Sequence, residues 1–153
     1  MRDIEISPSS IPVRLEVKEF KQPAREVASY TIQFNQPTDI EGQIAGNVRG
    51  GKINLRLKVL NIGNTDLVRW MTNDWEVHDG EILFINTTNG NKMKTLAFEK
   101  AYCVDYIEHW EDDIYEPLLA HWEEITISCK KITIEQAEFE NTWELENGPK
   151  TNL

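Results

Sequence analysis

The stretch that decides the fold is KINLRLKV, from Lys52 to Val59. Apolar side chains occupy every second position of this stretch, and polar side chains occupy the positions between them. Successive side chains of an extended strand point to opposite faces, so the alternation predicts a strand with one buried face. The predicted buried face consists of Ile53, Leu55, Leu57 and Val59. The chain is therefore expected to build a sheet that packs one face against a core.

The same alternation recurs on both sides of this stretch. It is found in PVRLEVKEF (12–20), SYTIQF (29–34), EILFI (81–85), KTLAF (94–98), AYCVDYI (101–107) and EITISCKKITI (124–134). Asp79-Gly80 and Asn89–Asn91 are predicted to form tight turns before and after EILFI, because Asp, Asn and Gly tolerate positive φ. This succession of strands predicts a small closed β-barrel.

One short helix is predicted within NTDLVRWMTND (64–74). Leu67, Trp70 and Met71 fall on one face of this helix, and Thr65 is placed to cap its N-terminus. Such an amphipathic helix is expected to plug the barrel or to cover an edge of its sheet. The predicted fold class is thus mainly β: a small closed β-barrel with one short α-helix and a long extended loop.

Length and charge limit the partners that the protein can have. The chain of 153 residues suffices for one domain, predicted over residues 1–146 with a tail at 147–153. Acidic residues outnumber basic ones by 26 to 16, and the net charge of −10 repels the phosphates of nucleic acids. No apolar run is long enough to cross a bilayer, and the first ten residues lack the apolar segment of a signal peptide. We therefore expect cytoplasmic synthesis, no nucleic-acid partner and no membrane partner.

The longest predicted loop is NQPTDIEGQIAGNVRGG, from Asn35 to Gly51. A phosphate-binding loop requires a helix after its glycines, whereas a strand follows here. An RNA-binding RGG segment normally repeats, and this one occurs once. Gly50 and Gly51 are instead expected to allow a sharp turn into the strand. Arg49 is then exposed at the end of the loop, where it can pair with a carboxylate, including one on another subunit.

A second pattern, EHWEDD (108–113) followed by AHWEEI (120–125), raises the alternative of a metal site. Two histidines with nearby carboxylates form such a site if the two strands make a hairpin. The candidate ligands are His109, His121, Glu111 and Glu123. The register of that hairpin decides whether these side chains meet.

The register that lets both strands share one core disfavours the metal site. The expected pairs are Val104 with Ile127, Tyr106 with Ile125, His109 with Trp122 and His121 with Trp110. In this register the two histidines point to opposite faces of the sheet. A bulge, or strands that are not partners, would reopen the alternative.

The two cysteines, Cys103 and Cys129, are predicted to be buried thiols and not a disulfide. The same register places them on opposite faces, which argues against a bond between them. Asp105, close to Cys103, raises the pKa of that thiol and makes it a poor nucleophile. No pair of carboxylates in the sequence indicates general acid–base catalysis either. The sequence therefore predicts no enzyme and no cofactor.

Six segments of the chain stand in a characteristic order. They are VRGGKINL (48–55), DLVRWM (66–71), DGEILF (79–84), KTLAFEKAYCVDYIE (94–108), ITISCKKITI (125–134) and NTW (141–143). In this order and spacing they resemble the Hcp family, and more specifically its Bacteroidetes branch, the TssD tube proteins of type VI secretion. The resemblance runs from Tyr30 to Trp143. Residues 1–11 look like a variable N-terminal extension, and residues 109–124 look expanded.

The resemblance implies a non-enzymatic protein whose hexameric rings stack into a hollow tube. In the family, a contractile sheath drives the tube, tipped by a spike, into a neighbouring cell for effector delivery, and no signal peptide is used. A closed barrel leaves no strand edge, so contacts between copies must come from loops and outer side chains. The long loop is the implied contact. Its implied assembly residues are Asp39, Gly42, Gly46, Arg49, Gly50, Gly51 and Lys52.

The remaining alternative is a monomeric ligand-binding barrel, or a metal-dependent enzyme that uses His109 and His121. The inward-facing residues of the predicted strands are bulky and are expected to fill a barrel of this size. The solution mass separates the two interpretations, since a tube subunit forms multimers and a ligand carrier is a monomer.

Overall fold

The protein, in a computed structural model, is described over residues 12–21, 24–59, 63–112, 115 and 120–143. This part of the chain forms seven strands and one short helix. They are β1 (Val13–Val17), β2 (Ala24–Ile32), β3 (Lys52–Lys58), α1 (Asp66–Thr72), β4 (Val77–Ile85), β5 (Lys92–Trp110), β6 (His121–Ile134) and β7 (Ala137–Glu140). Strands dominate the fold, as the alternation in the sequence predicts.

The strands form a barrel because the two ends of the sheet pair with each other. Neighbouring strands follow the order β3-β2-β1-β4-β5-β6, and each pairing is antiparallel. β3 then pairs with β6, from Lys52 opposite Ser128 to Lys58 opposite Trp122. This last ladder closes a barrel of six strands, which confirms the predicted closed barrel.

The seventh strand, β7, lies outside the closed ring of six. It pairs with the last four residues of β6, from Lys131 to Ile134, beyond the point where the β3 ladder ends. The other edge of β7 has no partner strand in the described part of the chain. The expectation that closure leaves no strand edge is therefore wrong for this short strand.

The core fills the interior of the barrel. The inward residues of β3, Ile53, Leu55 and Leu57, have no exposed surface. Val59, predicted to share their face, follows the end of β3 and is only partly buried. Buried side chains of the other barrel strands join them in one cluster: Leu15, Val17, Val27, Ile82, Leu96, Phe98, Ile125, Ile127 and Ile132. Side chains of this bulk occupy the space that a small barrel encloses.

The predicted helix is present as α1, which packs against β5. Leu67 and Trp70 on its apolar face belong to the core, as predicted. Thr65 occupies the N-cap position but makes no side-chain capping hydrogen bond. The amide oxygen of Asn64 instead accepts a hydrogen bond from the Asp66 N–H at 2.8 Å. The predicted capping role of Thr65 is therefore wrong, because the preceding residue satisfies this free N–H.

Asp79-Gly80 does not form a turn, contrary to the prediction from sequence, because both residues lie inside β4. The ladder between β4 and β5 shifts register here, and the Asp79 carboxylate accepts a hydrogen bond from the Lys100 N–H at 2.8 Å. A Cβ atom on Gly80 would clash with the Glu16 carbonyl oxygen of β1. The glycine thus permits close approach of two strands. The predicted turn at Asn89–Asn91 does join β4 to β5.

β5 and β6 form a long hairpin whose register agrees with the prediction near its tip. The observed pairs there are Tyr106 with Ile125, His109 with Trp122 and Trp110 with His121. Farther from the tip, Cys103 and not Val104 lies opposite Ile127. A bulge between Cys103 and Asp105 inserts one extra residue, which leaves Val104 exposed and Cys103 buried. The predicted pairing of Val104 with Ile127 is therefore wrong.

A junction forms where β6 exchanges its partner β3 for β7. The Cys129 N–H donates a hydrogen bond to the Gly51 carbonyl oxygen at 2.7 Å. The side-chain amide of Asn141 donates to the Cys129 carbonyl oxygen at 2.9 Å, and the Asn141 backbone N–H donates to the Lys130 carbonyl oxygen at 2.8 Å. Asn141 thereby ties the end of β7 to the strand that closes the barrel.

We expect replacement of Gly51 by alanine to lower the free energy of unfolding more than the same replacement of Gly90. Both glycines have positive φ, +97° and +73°, so alanine costs about 1–2 kcal/mol of backbone strain at either position. At Gly51 the added Cβ would also clash with the Asn141 amide and lie 2.9 Å from the Cys129 carbonyl oxygen, whereas at Gly90 it meets nothing within 4 Å. Chemical denaturation of both variants measures the difference. Equal losses would contradict the tight packing of the junction.

Candidate self-assembly surface

The long loop of the sequence is an ordered hairpin, which we call the arm (Asn35–Arg49). Its first and last residues, Asn35 and Arg49, exchange two backbone hydrogen bonds of 2.9 and 2.7 Å. Closer to its tip, the Ala45 N–H donates to the Pro37 carbonyl oxygen at 2.8 Å. The loop is extended, as predicted, and it carries a backbone ladder of its own.

The tip of the arm is built by Asp39 and Gly42, two of the predicted assembly residues. One carboxylate oxygen of Asp39 accepts hydrogen bonds from the N–H groups of Glu41 and Gln43, each at 2.9 Å. Gly42 adopts a φ of +83°, which a glycine tolerates without strain. Between them, the side chain of Ile40 is fully exposed. Asp39 and Gly42 therefore shape the turn, and Ile40 is the side chain that the turn presents.

Gly46 and Gly50 allow close packing within and below the arm. A Cβ atom on Gly46 would lie 2.7 Å from Pro37 Cγ, and one on Gly50 would clash with the ring of Phe34. The Phe34 ring in turn packs on Phe139 of β7, with 5.1 Å between centroids. Of the two glycines expected to allow a sharp turn into β3, Gly51 has a positive φ of +97° and Gly50 does not. Because Gly50 has no side chain, the Phe34 ring can pack closely over it at the base of the arm.

Charge is distributed unevenly along the arm. The charged side chains of its tip, Asp39 and Glu41, are both acidic. Arg49 and Lys52 stand at its base and are exposed. Neither of these basic side chains makes an ion pair with the described residues. The predicted exposure of Arg49 is confirmed, and its pairing with a carboxylate of another subunit stays a prediction.

Apolar side chains are exposed together with these charges. Those of the arm and its base are Phe34, Ile40, Ile44 and Val48. Single exposed apolar residues are common on protein surfaces, but a group of them on one projecting element is typical of a protein contact. Sequence reasoning missed all four as assembly residues, because neither a strand period nor a helix period marks them.

The structure separates the histidines of the alternative metal site. His109 stacks on Trp122, with 4.9 Å between ring centroids, and lies 3.5 Å from a Glu111 carboxylate oxygen. His121 lies on the other face of the hairpin, 3.9 Å from Glu108. The predicted opposite orientation is thus confirmed. Among the described residues, no group of three or more potential ligands gathers that could hold a metal ion.

Glu123, the fourth candidate ligand, is buried in the barrel and has another role. One of its carboxylate oxygens accepts a hydrogen bond from the Arg25 guanidinium at 2.7 Å, and the other accepts one from the Tyr106 hydroxyl at 2.6 Å. Arg25 also donates to the Lys58 carbonyl oxygen at 3.1 Å. Burial and then the bond to Glu123 raise the pKa of the Tyr106 hydroxyl far above its usual range. This network links β2, β3, β5 and β6 across the barrel.

Both cysteines are free and buried, as predicted. The predicted placement on opposite faces is wrong, because the bulge turns Cys103 inward so that both thiols belong to the core. Burial, followed by the charge of Asp105, raises the pKa of the Cys103 thiol to about 12 despite a hydrogen bond to the Asp105 backbone. Burial also raises the pKa of the Cys129 thiol. Neither thiol is therefore suited to act as a nucleophile at neutral pH.

The comparison with a protein family agrees with the fold and the arm. The sequence profile of the family described as hemolysin coregulated protein Hcp (TssD) matches residues 9–144. This chain belongs to the Hcp (TssD) family. The match includes all seven strands, the helix and the arm. It confirms the resemblance that the six ordered segments indicate.

Solved Hcp structures share the architecture of this Hcp-family chain. Hcp1 from Flavobacterium johnsoniae is 31% identical with a TM-score of 0.74, covering 85% of this chain and 99% of that one. Hcp1 from Salmonella typhimurium is 9% identical with a TM-score of 0.68, and the match covers 86% of this chain and 95% of that one. A chain of the extracellular contractile injection system PVC, solved as its sheath–tube complex, is 18% identical with a TM-score of 0.58, covering 86% and 93%. The latter two similarities establish the fold alone. No curated protein sequence matches the chain.

We expect replacement of Glu123 by glutamine to lower the free energy of unfolding by about 3–5 kcal/mol, because it leaves the Arg25 charge buried without its counterion. The two side chains are only 8% and 5% exposed. Glu111, 77% exposed, supplies a matched control, and Glu111→Gln should change the free energy by no more than about 0.5 kcal/mol. Denaturant titration measures both variants. An unchanged midpoint for Glu123→Gln would show that this ion pair does not hold the barrel together.

Proposed function

We propose that this Hcp-family chain is a structural subunit of the inner tube of a type VI secretion system. The observation that carries the proposal is the arm, an ordered hairpin on a closed barrel with exposed apolar side chains. The basic side chains at its base make no ion pair within the described part of the chain. Such an element gains stability when another copy covers it. The family match and the similarity to Hcp1 of Flavobacterium johnsoniae support the same role.

The closed barrel limits how copies associate. Its six-stranded ladder closes on itself, so among the described residues strand addition is limited to partly paired edges, such as β7 and the part of β5 beyond Tyr102, which pairs with β6 alone. Contacts between copies must therefore use outer side chains and the arm. Head-to-tail contacts close into a ring where their rotation allows it and otherwise continue into a filament. The proposed assembly uses both kinds of contact. One kind closes each hexameric ring, and the other stacks the rings into a tube.

The finer part of the proposal concerns partners and destination. A contractile sheath around the tube, a spike at its tip and effector proteins are the partners proposed from the family. The sheath is proposed to drive the tube, the spike and the effectors out of the cell. Similarity in fold to the sheath–tube complex of PVC supports a place within a contractile system. Among the described residues, no helix combines the length and the apolar composition needed to cross a bilayer.

We also propose that the protein acts by shape and not by catalysis. His109 and His121 point to opposite faces, Glu123 is engaged by Arg25, and both thiols are buried with raised pKa values. The filled interior argues against the alternative of a ligand-binding barrel, because bulky aliphatic side chains occupy the space that a ligand needs.

The purified protein is expected to form rings whose mass is six times that of the chain, and to stack into tubes at high concentration. Sedimentation gives the mass of the rings, and electron micrographs show stacking. A protein that stays monomeric at high concentration would contradict the proposed function and favour the ligand carrier.

We expect Arg49→Glu to preserve the fold of the subunit and to shorten or abolish stacked tubes, because it reverses the charge of an unpaired side chain at the base of the arm. Lys92→Glu is the matched control. It makes the same change in net charge, from −10 to −12, at an exposed position of β5 outside the arm. Circular dichroism checks the fold, and electron micrographs give tube lengths. Tubes of unchanged length for Arg49→Glu would refute the role of this arm residue.

A further inference from the structure

An apolar groove lies where the arm joins the barrel. Phe34 and Val48 of the arm base form one wall, and the hairpin of β6 and β7 forms the other. The residues of that second wall are Ile132, Ile134, Ala137, Glu138 and Phe139. The groove has a volume of about 250 Å³, slightly below the range of about 300–1,000 Å³ that is usual for small-molecule sites. Its size and lining suit one or two aliphatic side chains.

The arm tip carries a side chain that fits such a groove. Ile40 is fully exposed at the tip, and Asp39 holds the turn that presents it through two backbone hydrogen bonds. A branched aliphatic side chain gains about 1.5–3 kcal/mol when it is fully buried. No described residue of the chain covers Ile40, so its side chain is available for contact with another copy.

The tip cannot enter the groove of its own chain. The backbone ladder of the arm keeps it extended, from the Asn35–Arg49 pair at its base to the Thr38–Ile44 bridge near its tip. An extended strand advances about 3.3 Å per residue, so Ile40 lies on the order of 15 Å from Asn35. The groove is at that base. Tip and groove can therefore meet only between two copies.

The charges at the two ends of the arm are complementary. Asp39 and Glu41 flank Ile40 at the tip. Arg49 and Lys52 stand at the base of the arm, where they line a second pocket beside the groove. Glu138, the carboxylate on the groove wall, lies 3.8 Å from the Lys131 ammonium, which offsets its charge. An acidic tip that approaches this base meets unpaired basic side chains.

We propose that the arm tip of one copy inserts Ile40 into the groove at the arm base of the next copy. This inference rests on the proposed function and assigns its axial contact to named residues. Each copy has one tip and one groove, so the contact is head-to-tail and does not saturate after two copies. It gives the stack a direction, with every tip pointing the same way.

Engineered cysteines test this contact directly. The double variant Ile40→Cys with Ala137→Cys places one thiol at the tip and one on the groove wall. Oxidation is expected to give a ladder of linked chains on a non-reducing gel, while a mixture of the two single variants gives dimers only. The native thiols do not interfere, because Cys103 and Cys129 are buried. The control pair Ile40→Cys with Met93→Cys uses an exposed position outside the groove and should give no ladder.

The variant Ile40→Ser gives a second measurement that does not depend on oxidation. It is expected to raise the protein concentration needed for stacking by about tenfold or more, because the tip no longer buries an aliphatic side chain. Met93→Ser removes an exposed apolar side chain elsewhere and should leave that concentration unchanged. Both variants should keep the ring mass of the parent.

The outcomes separate this inference from the proposed function. Tubes that form normally, without a ladder from the double variant and without an effect of Ile40→Ser, would overturn the contact of tip and groove and leave the tube function standing. A parent protein that forms no rings and no tubes would overturn both. Disulfide dimers from Ile40→Cys alone would show that tips meet tips and that the contact is not head-to-tail.

Discussion

The pairing of β3 with β6 is the interaction on which the rest of the structure depends. It converts an open sheet into a closed barrel and encloses the aliphatic side chains of β3. It also ends next to Gly51, where β6 exchanges its partner β3 for β7 and Asn141 satisfies the carbonyl oxygen of Cys129. Because the arm leads directly into this closing strand, its base is fixed to the strand pair that closes the barrel. An assembly element needs such a support if it is to meet its partner in one orientation.

Much of the barrel could be predicted from alternation alone, because one buried face imposes a period of two on each strand. The register could not be predicted throughout. The bulge at Val104 and the register shift beside Gly80 each change which residue faces the core, and neither alters the apolar content of its strand. The hydrogen bonds of Asn141 could not be predicted either, since its partners lie far away in the sequence. Such contacts are set by tertiary packing and leave no local pattern.

The sequence marked the arm as the candidate assembly surface but did not indicate the chemistry of its exposed side chains. Glycines and charges marked residues 35–51 as unusual, and the resemblance to the Hcp family gave the segment a role. Yet most of its glycines serve packing and turn geometry, while the exposed apolar side chains supply the surface of the proposed contact. An isolated Ile40 between two acidic residues carries no sequence signal. Its significance appears only when the groove at the other end of the arm is seen.

The short outer edge of β7 affects how the protein behaves at high concentration. A tube protein must accumulate before it is used, and an exposed strand edge is a template for uncontrolled sheet extension and amyloid-like aggregation. This edge is only four residues long and carries the carboxylates of Glu138 and Glu140. Strands added there would bring like charges together in every further layer. These carboxylates therefore oppose uncontrolled sheet extension at this edge of β7.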